Sequence, residues 1–120
     1  MHALIIEDES IIAMEIEEIL RDNGFTSIDV APSPATAIAA AVQRRPDLIT
    51  SDVQLKPGCG IATVSAICEN SAVPVVFITG NMSEVVRKLS AYRIISKPFS
   101  AARLSAAVAA ALGSAGVRHV

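Results

Sequence analysis

The chain has 120 residues, 52 % of them hydrophobic, and a mean hydropathy of +0.50, so it can bury the core of one domain and is not a disordered segment. Its net charge of −2 and isoelectric point of about 5.6 give no reason to expect direct nucleic-acid binding or attraction to an anionic membrane. No apolar run reaches the roughly 18–20 residues of a membrane span and no signal peptide is recognisable, so we expect a cytoplasmic protein without membrane contact.

The first predicted unit is a strand followed by an amphipathic helix. Residues 3–6 form an unbroken apolar run that stops at three acidic residues, which is typical of a strand buried on both faces. Ser10 is the predicted N-cap of a helix that runs to about Asn23, with isoleucines on one face and charged residues on the other. Gly24 is expected to end this helix in the left-handed conformation.

The second unit and the third strand follow directly. Residues 27–31 can form a strand, and Pro34 stands at the first helical position after Ser33, opening an alanine-rich helix that ends near residues 44–46. Residues 47–52 read as a third strand that ends on an acid, Asp52.

The second half continues the alternation. A loop with Pro57, Gly58 and Gly60 precedes a helix through Val64 and Ile67. The remaining predicted elements are a strand at 73–79 with Pro74 near its start, a short helix at 82–91, a strand at 93–96, and a last helix to about Leu112 that Gly113 closes before a frayed tail. Cys59 and Cys68 lack the paired spacing of a zinc or thioredoxin-type site, so we expect two free thiols.

These units predict an α/β fold with a doubly wound, five-stranded parallel sheet in the flavodoxin-like order 2-1-3-4-5. Helices would cover both faces, and the fourth would be short. Residues 1–120 would form a single domain, with a core at 1–113 and a tail at 114–120.

The carboxyl ends of the predicted strands collect polar side chains. In open parallel sheets ligands bind at this edge, where the chain places Glu7, Asp8, Asp52, Thr79 and Lys97. Singly, each has an ordinary explanation: acids at a helix start, an Asp in a turn, a surface lysine, a strand threonine. Together they form a site where crowded carboxylates call for a cation. Hard oxygen ligands favour Mg²⁺, and the set suits phosphoryl transfer.

The chain resembles the receiver domains of two-component response regulators. The resemblance rests on four motifs, in the family's order, and covers residues 1–113: Ile5 to Glu9, Ser51-Asp52 with Pro57 and Gly60 behind it, Ile78-Thr79-Gly80, and Lys97-Pro98-Phe99. The segment 9–20 also loosely resembles receivers of general-stress-response signalling, and we base no prediction on it.

The resemblance implies a role for each motif residue. Asp52 would accept a phosphoryl group from the phosphohistidine of a sensor histidine kinase or phosphotransfer protein, or from a small phosphodonor. Mg²⁺ would be held by Asp8 and Asp52 directly, by Glu7 through a water and by the backbone carbonyl of Gln54. Thr79 and Lys97 would bind phosphoryl oxygens, Gly80 would leave the approach open, and the Lys97-Pro98 bond would be cis. The added charge would pull on Thr79 and Lys97, and so change an output face made of the fourth helix, fifth strand and fifth helix for a downstream protein that the sequence does not name.

The chain departs from the family pattern in three places. The position of the usual aromatic switch residue holds Ile94, with Tyr92 two residues before it, so the switch would use Tyr92 in a shifted register or packing at Ile94. Only 17 residues, 80–96, separate Thr79 from Lys97, which predicts the short fourth helix. Lys56 stands where a proline is common.

Two other functions share parts of this site with the switch. A magnesium-dependent phosphatase with an Asp nucleophile would need a second Asp two residues later, where this chain has Gln54. A pseudo-receiver would bind partners without phosphorylation, although every site residue is present. We therefore expect a signalling domain that catalyses its own phosphorylation and dephosphorylation, and not an enzyme acting on other substrates.

Overall fold

Strands and helices alternate along the chain as predicted. A computed structural model describes residues 1–55, 58–69, 72–80 and 93–117. The described elements are β1 (His2–Ile6), α1 (Ser10–Asp22), β2 (Ser27–Ala31), α2 (Pro34–Gln43), β3 (Leu48–Asp52), α3 (Gly60–Ile67), β4 (Val75–Thr79), β5 (Arg93–Ser96) and the C-terminal helix (Ala101–Val117). The predicted short helix at 82–91, together with Lys56, Pro57 and Tyr92, lies outside the described residues.

The sheet has five parallel strands in the order β2-β1-β3-β4-β5, which confirms the predicted topology. Its register aligns the carboxyl ends of the central strands, because Ile6 pairs with Ser51 and Asp52 pairs with Ile78. Thr79 pairs with Ser96 in the same way. The residues that follow these positions therefore lie at one edge of the sheet.

Alternate residues of the strands pack into two cores on opposite faces. Ala3 and Ile5 of β1 contribute to the core beneath α1 and the C-terminal helix, whereas Leu4 and Ile6 contribute to the core beneath α2 and α3. β1, β3 and β4 are buried along their whole length, which explains the continuous apolar runs at residues 3–6 and 75–78. Phe25 and Phe77 are fully buried, so the core is not purely aliphatic.

The helix starts differ in their capping, because α2 has a side-chain cap and α1 has none. Ser33 caps α2 through a reciprocal pair with Thr36, and Pro34 occupies the first turn as predicted. α1 begins at Ser10 itself and Glu9 is the N-cap residue, so the predicted cap was one position too late. Gly24 has a φ of +94°, the left-handed conformation expected after α1.

Three predicted boundaries are corrected. β3 begins at Leu48 and β4 at Val75, so Asp47 and the segment Val73-Pro74 precede their strands. The C-terminal helix does not end at Gly113 but continues to Val117, through part of the predicted tail. A glycine inside a helix costs about 1 kcal/mol relative to alanine, and the alanine-rich sequence around it continues the helical hydrogen bonding.

Both cysteines are free thiols, as expected. No helix in the described ranges is long and apolar enough to span a bilayer.

Candidate functional site

Three carboxylates meet at the carboxyl edge of the sheet. Glu7 and Asp8 follow β1 and Asp52 ends β3, and one carboxylate oxygen of each lies within 4.8 Å of the others. We call these three residues the acidic cluster. Glu7 and Asp52 are buried and Asp8 is half-buried, so the cluster opens to solvent on the side of Asp8.

Glu7 is the deepest member of the acidic cluster. Its backbone N–H donates to the carbonyl of Ala31 over 3.1 Å, which extends the β1–β2 pairing by one residue. The backbone N–H of Glu9 donates to Glu7 Oε2 over 3.1 Å. The other oxygen, Oε1, is directed at Lys97.

Lys97 connects two members of the cluster. Its Nζ lies 3.1 Å from Glu7 Oε1 and donates to Asp52 Oδ2 over 3.2 Å. Its backbone N–H donates to the Thr79 carbonyl over 2.8 Å, which ties the segment after β5 to the end of β4. The Lys97-Pro98 bond is cis, as the resemblance implied.

Burial and the facing charges together set the pKa values of Glu7 and Lys97. Burial, together with the negative charge of Asp52, raises the pKa of Glu7 to about 7, although the Glu9 N–H and Lys97 oppose this. Burial lowers the pKa of Lys97, but the charges of Asp52 and Glu7 outweigh it and hold that pKa above the usual 10.5. The lysine therefore stays an ammonium ion, while Glu7 is poised to lose or gain a proton near neutral pH.

Asp52 is positioned by its own backbone and by α3. The Gln54 N–H donates to Asp52 Oδ1 over 3.2 Å, and the Gly60 N–H donates to the Val53 carbonyl over 2.8 Å. A Cβ at Gly60 would collide with the Asp52 carbonyl oxygen and lie 2.7 Å from Ser51 Oγ. The glycine thus lets α3 start directly against the strand that carries Asp52. Sequence reasoning found Gly60 as a motif residue but missed this contact, because it depends on the distance between two elements.

The other predicted site residues fall at the same edge or just behind it. Thr79 is buried at the end of β4, and a Cβ added to Gly80 would meet no heavy atom of the described residues within 4 Å. Ile94 of β5 is half-buried, pairs with Phe77, and packs with the core beneath α2 and α3. Tyr92, the alternative switch residue, lies outside the described residues.

Comparison with known families agrees with this arrangement. The family model described as the response regulator receiver domain matches residues 3–109. The chain belongs to that family. As a receiver domain it is a signalling module of the kind found in two-component response regulators.

This receiver domain is similar in sequence to parts of bacterial regulators. It is 38 % identical to the phyllosphere-induced regulator PhyR of Methylorubrum extorquens, over 91 % of this chain and 42 % of that protein. It is 32 % identical to the transcriptional regulatory protein PdtaR of Mycobacterium tuberculosis, over 88 % of this chain and 53 % of that protein. The chain thus spans about half the length of these relatives.

Among solved structures, the anti-anti-sigma factor PhyR of Bartonella quintana matches with a TM-score of 0.85 and 29 % identity, over 99 % of this chain and 51 % of that one.

The acidic cluster of the receiver domain offers the donor set that a hard divalent cation prefers. Its three side chains present only carboxylate oxygens. Three carboxylates face the single ammonium of Lys97, so a cation beside Asp8 and Asp52 fits the charge of the site.

Proposed function

We propose that this receiver domain is a phosphoacceptor switch of a two-component or phosphorelay system, in which Asp52 takes a phosphoryl group with Mg²⁺ bound beside it. The supporting observation is that Lys97 Nζ reaches both Glu7 and Asp52 while Asp8 completes the acidic cluster. Receiver domains generally bind Mg²⁺ through such an acidic pocket.

In the proposed reaction the donor is the phosphohistidine of a sensor histidine kinase or phosphotransfer protein. A carboxylate oxygen of Asp52 attacks phosphorus, a P–O bond forms, and the P–N bond breaks as the imidazole nitrogen keeps the electron pair. Asp8, Asp52 and the Gln54 carbonyl would hold Mg²⁺, with Glu7 acting through a water. When bound, the ion neutralises charge on the phosphoryl oxygens.

Lys97 and Thr79 would convert phosphorylation into a signal. Lys97 already lies 3.2 Å from Asp52, so a new dianionic group there competes with Glu7 for its ammonium. Because the backbone N–H of Lys97 donates a hydrogen bond to the Thr79 carbonyl, a movement of either residue also displaces the other. We propose that the shift reaches β5, with Ile94 or Tyr92 as the switch, and the C-terminal helix.

The output would pass by protein contact and not by direct nucleic-acid binding. The matched PhyR of Bartonella quintana is an anti-anti-sigma factor, so control of transcription through a protein partner is the proposed downstream role.

Phosphorylation is tested by mass. The chain is incubated with acetyl phosphate and Mg²⁺, and one added phosphoryl group is expected on the wild type and on Asp22→Asn, an exposed control. Asp52→Asn should gain none, and an adduct on that variant would place the acceptor elsewhere. Turnover of a phosphomonoester would favour a phosphatase, and a wild type without an adduct would favour a pseudo-receiver.

Two further variants test the assigned roles. Asp8→Ala should weaken Mg²⁺ binding, and an unchanged metal titration would remove Asp8 from the proposed ligands. Thr79→Ala should keep most phosphoryl uptake but lose the conformational response, measured by backbone chemical shifts of β5 with and without phosphodonor. A response equal to that of the wild type would argue against a switch role.

A further inference from the structure

A serine, a histidine and an aspartate meet at the amino edge of the sheet, opposite the edge that carries the acidic cluster. His2 starts β1 and pairs in register with Ser27, which starts β2. Asp29 lies two residues after Ser27 on the edge strand, so both side chains are on the same face of the sheet. The His2 side chain contacts both of them. We call these three residues the amino-edge cluster.

The imidazole of His2 contacts one group through each of its nitrogens. Its Nδ1 lies 2.8 Å from Ser27 Oγ, which is a hydrogen-bond distance. Its Nε2 lies 3.1 Å from Asp29 Oδ2, close enough for electrostatic attraction although the two are not aligned as a hydrogen bond. His2 is 4 % exposed, so the ring is buried between these two neighbours.

The backbone of His2 fixes the position of the ring. The His2 N–H donates to Asp47 Oδ2 over 2.8 Å, and the Asp47 N–H donates to the His2 carbonyl over 2.7 Å. This pair of hydrogen bonds joins the start of β1 to the residue that precedes β3. The imidazole is therefore attached to a backbone position that is held on both sides, by β2 and by the approach to β3.

The neighbours of the ring determine which nitrogen carries the proton. A carboxylate only accepts hydrogen bonds, so Asp29 attracts an N–H and repels a lone pair at Nε2. Nε2 thus carries the proton of the neutral imidazole, and the lone pair of Nδ1 faces Ser27. The Ser27 hydroxyl then donates to Nδ1, which is the direction in which a general base withdraws a proton.

An alcohol, an imidazole and a carboxylate in contact are the groups that activate a serine nucleophile. In serine proteases Nε2 faces the serine, so the two ring nitrogens have exchanged roles in this chain. Either nitrogen of imidazole can act as the base when the other holds the proton, so the exchange preserves the chemistry. Ser27 is half-buried and the Asp29 side chain is 46 % exposed, so the amino-edge cluster opens to solvent on their side.

We propose that Ser27 is acylated by small activated acyl donors, such as acyl phosphates and aryl esters, with His2 as the general base and Asp29 as a positioning residue. Ser27 Oγ attacks the acyl carbon and a C–O bond forms, while the hydroxyl proton passes to His2 Nδ1. The bond from the acyl carbon to the leaving oxygen breaks, and the phosphate or phenolate departs with the electron pair. The product is an ester on Ser27, and its formation involves neither the acidic cluster nor the metal.

Peptide mapping by mass spectrometry after treatment with p-nitrophenyl acetate tests the proposal. The full chain is treated in EDTA, and this donor carries no phosphoryl group, so the outcome is independent of the proposed phosphorylation of Asp52. An acetyl ester should form on Ser27 about 100-fold faster than on Ser65, an exposed serine of α3 in the same molecules. Equal rates at the two serines, or no ester on Ser27, would overturn the proposal.

Variants of the amino-edge cluster separate activation of Ser27 from its mere exposure. His2→Asn removes the base and should slow acetylation of Ser27 by about 100-fold without changing that of Ser65. Asp29→Asn sets an amide beside Nε2 and should also slow it, whereas Asp29→Glu should restore part of the rate because it returns a carboxylate. Urea denaturation checks that each variant is folded, and the comparison within wild-type molecules does not require any of them. A folded His2→Asn or Asp29→Asn variant that acetylates Ser27 as fast as the wild type would refute the assigned roles.

Discussion

Replacing Glu7 with glutamine should remove a pH-dependent loss of stability from the metal-free protein. Glu7 is 2 % exposed, and burial together with Asp52 raises the pKa of its carboxyl from 4.5 to about 7. The folded protein therefore holds this proton over a pH range in which the unfolded chain has already released it. The folded state is therefore more stable when Glu7 is protonated, and ionisation of Glu7 lowers the free energy of unfolding.

The sign and size follow from linkage. Between the unfolded pKa of 4.5 and the folded pKa of about 7 the native state binds more protons, so the free energy of unfolding falls as pH rises. At about 1.4 kcal/mol for each pKa unit the total is about 3 kcal/mol, most of which falls between pH 5 and pH 8. The stabilisation is fully present below pH 4.5 and has gone above pH 8.

Urea denaturation in EDTA at several pH values between 5 and 8 measures this loss. The wild type should lose about 2–3 kcal/mol more than Glu7→Gln over that range. Glu18→Gln, which changes an exposed carboxylate of α1, should follow the wild type. If wild type and Glu7→Gln have parallel profiles, Glu7 titrates like a solvated carboxylate and the reasoning about its burial is wrong.

Three further predictions concern the same edge of the sheet. Mg²⁺ affinity should increase with pH up to about pH 7, because the metal competes with the Glu7 proton. The increase should not exceed tenfold per pH unit, and calorimetry that shows no pH dependence of Mg²⁺ binding would contradict this prediction. Gly60→Ala should lower the free energy of unfolding by about 2 kcal/mol or more, because its Cβ meets the Asp52 carbonyl. Gly113→Ala should raise that free energy by up to about 1 kcal/mol, because its Cβ would meet no side chain of the described residues within 4 Å. Equal effects of the two substitutions in urea denaturation would refute the close contact at Gly60. Thr50→Val should raise the free energy of unfolding by about 1 kcal/mol, since the buried Thr50 hydroxyl has no hydrogen-bond partner among the described residues. A marked loss of stability in this variant would reveal a hydrogen-bond partner.

Local sequence patterns were enough to predict the order of the elements and most of the signals that start or end a helix. The Ser33-Pro34 start of α2 and the left-handed Gly24 were both predicted, because capping and backbone sterics depend on a few adjacent residues. Apolar periodicity marked the strands, and the parallel topology then placed the acidic cluster and Lys97 at one edge. The same local reasoning ended the last helix too early at Gly113, since a glycine signal weakens a helix without always ending it.

Contacts between distant elements were decided only by the tertiary structure. That Lys97 spans Glu7 and Asp52, that Glu7 is buried enough to titrate near neutral pH, and that Gly60 lies against the Asp52 carbonyl all depend on how β1, β3 and α3 pack together. Sequence spacing carries no such distances, because they arise from the register of the whole sheet and the volumes of two cores. The residue types at the site were therefore readable from the chain, whereas their charge balance and contacts come from three-dimensional packing.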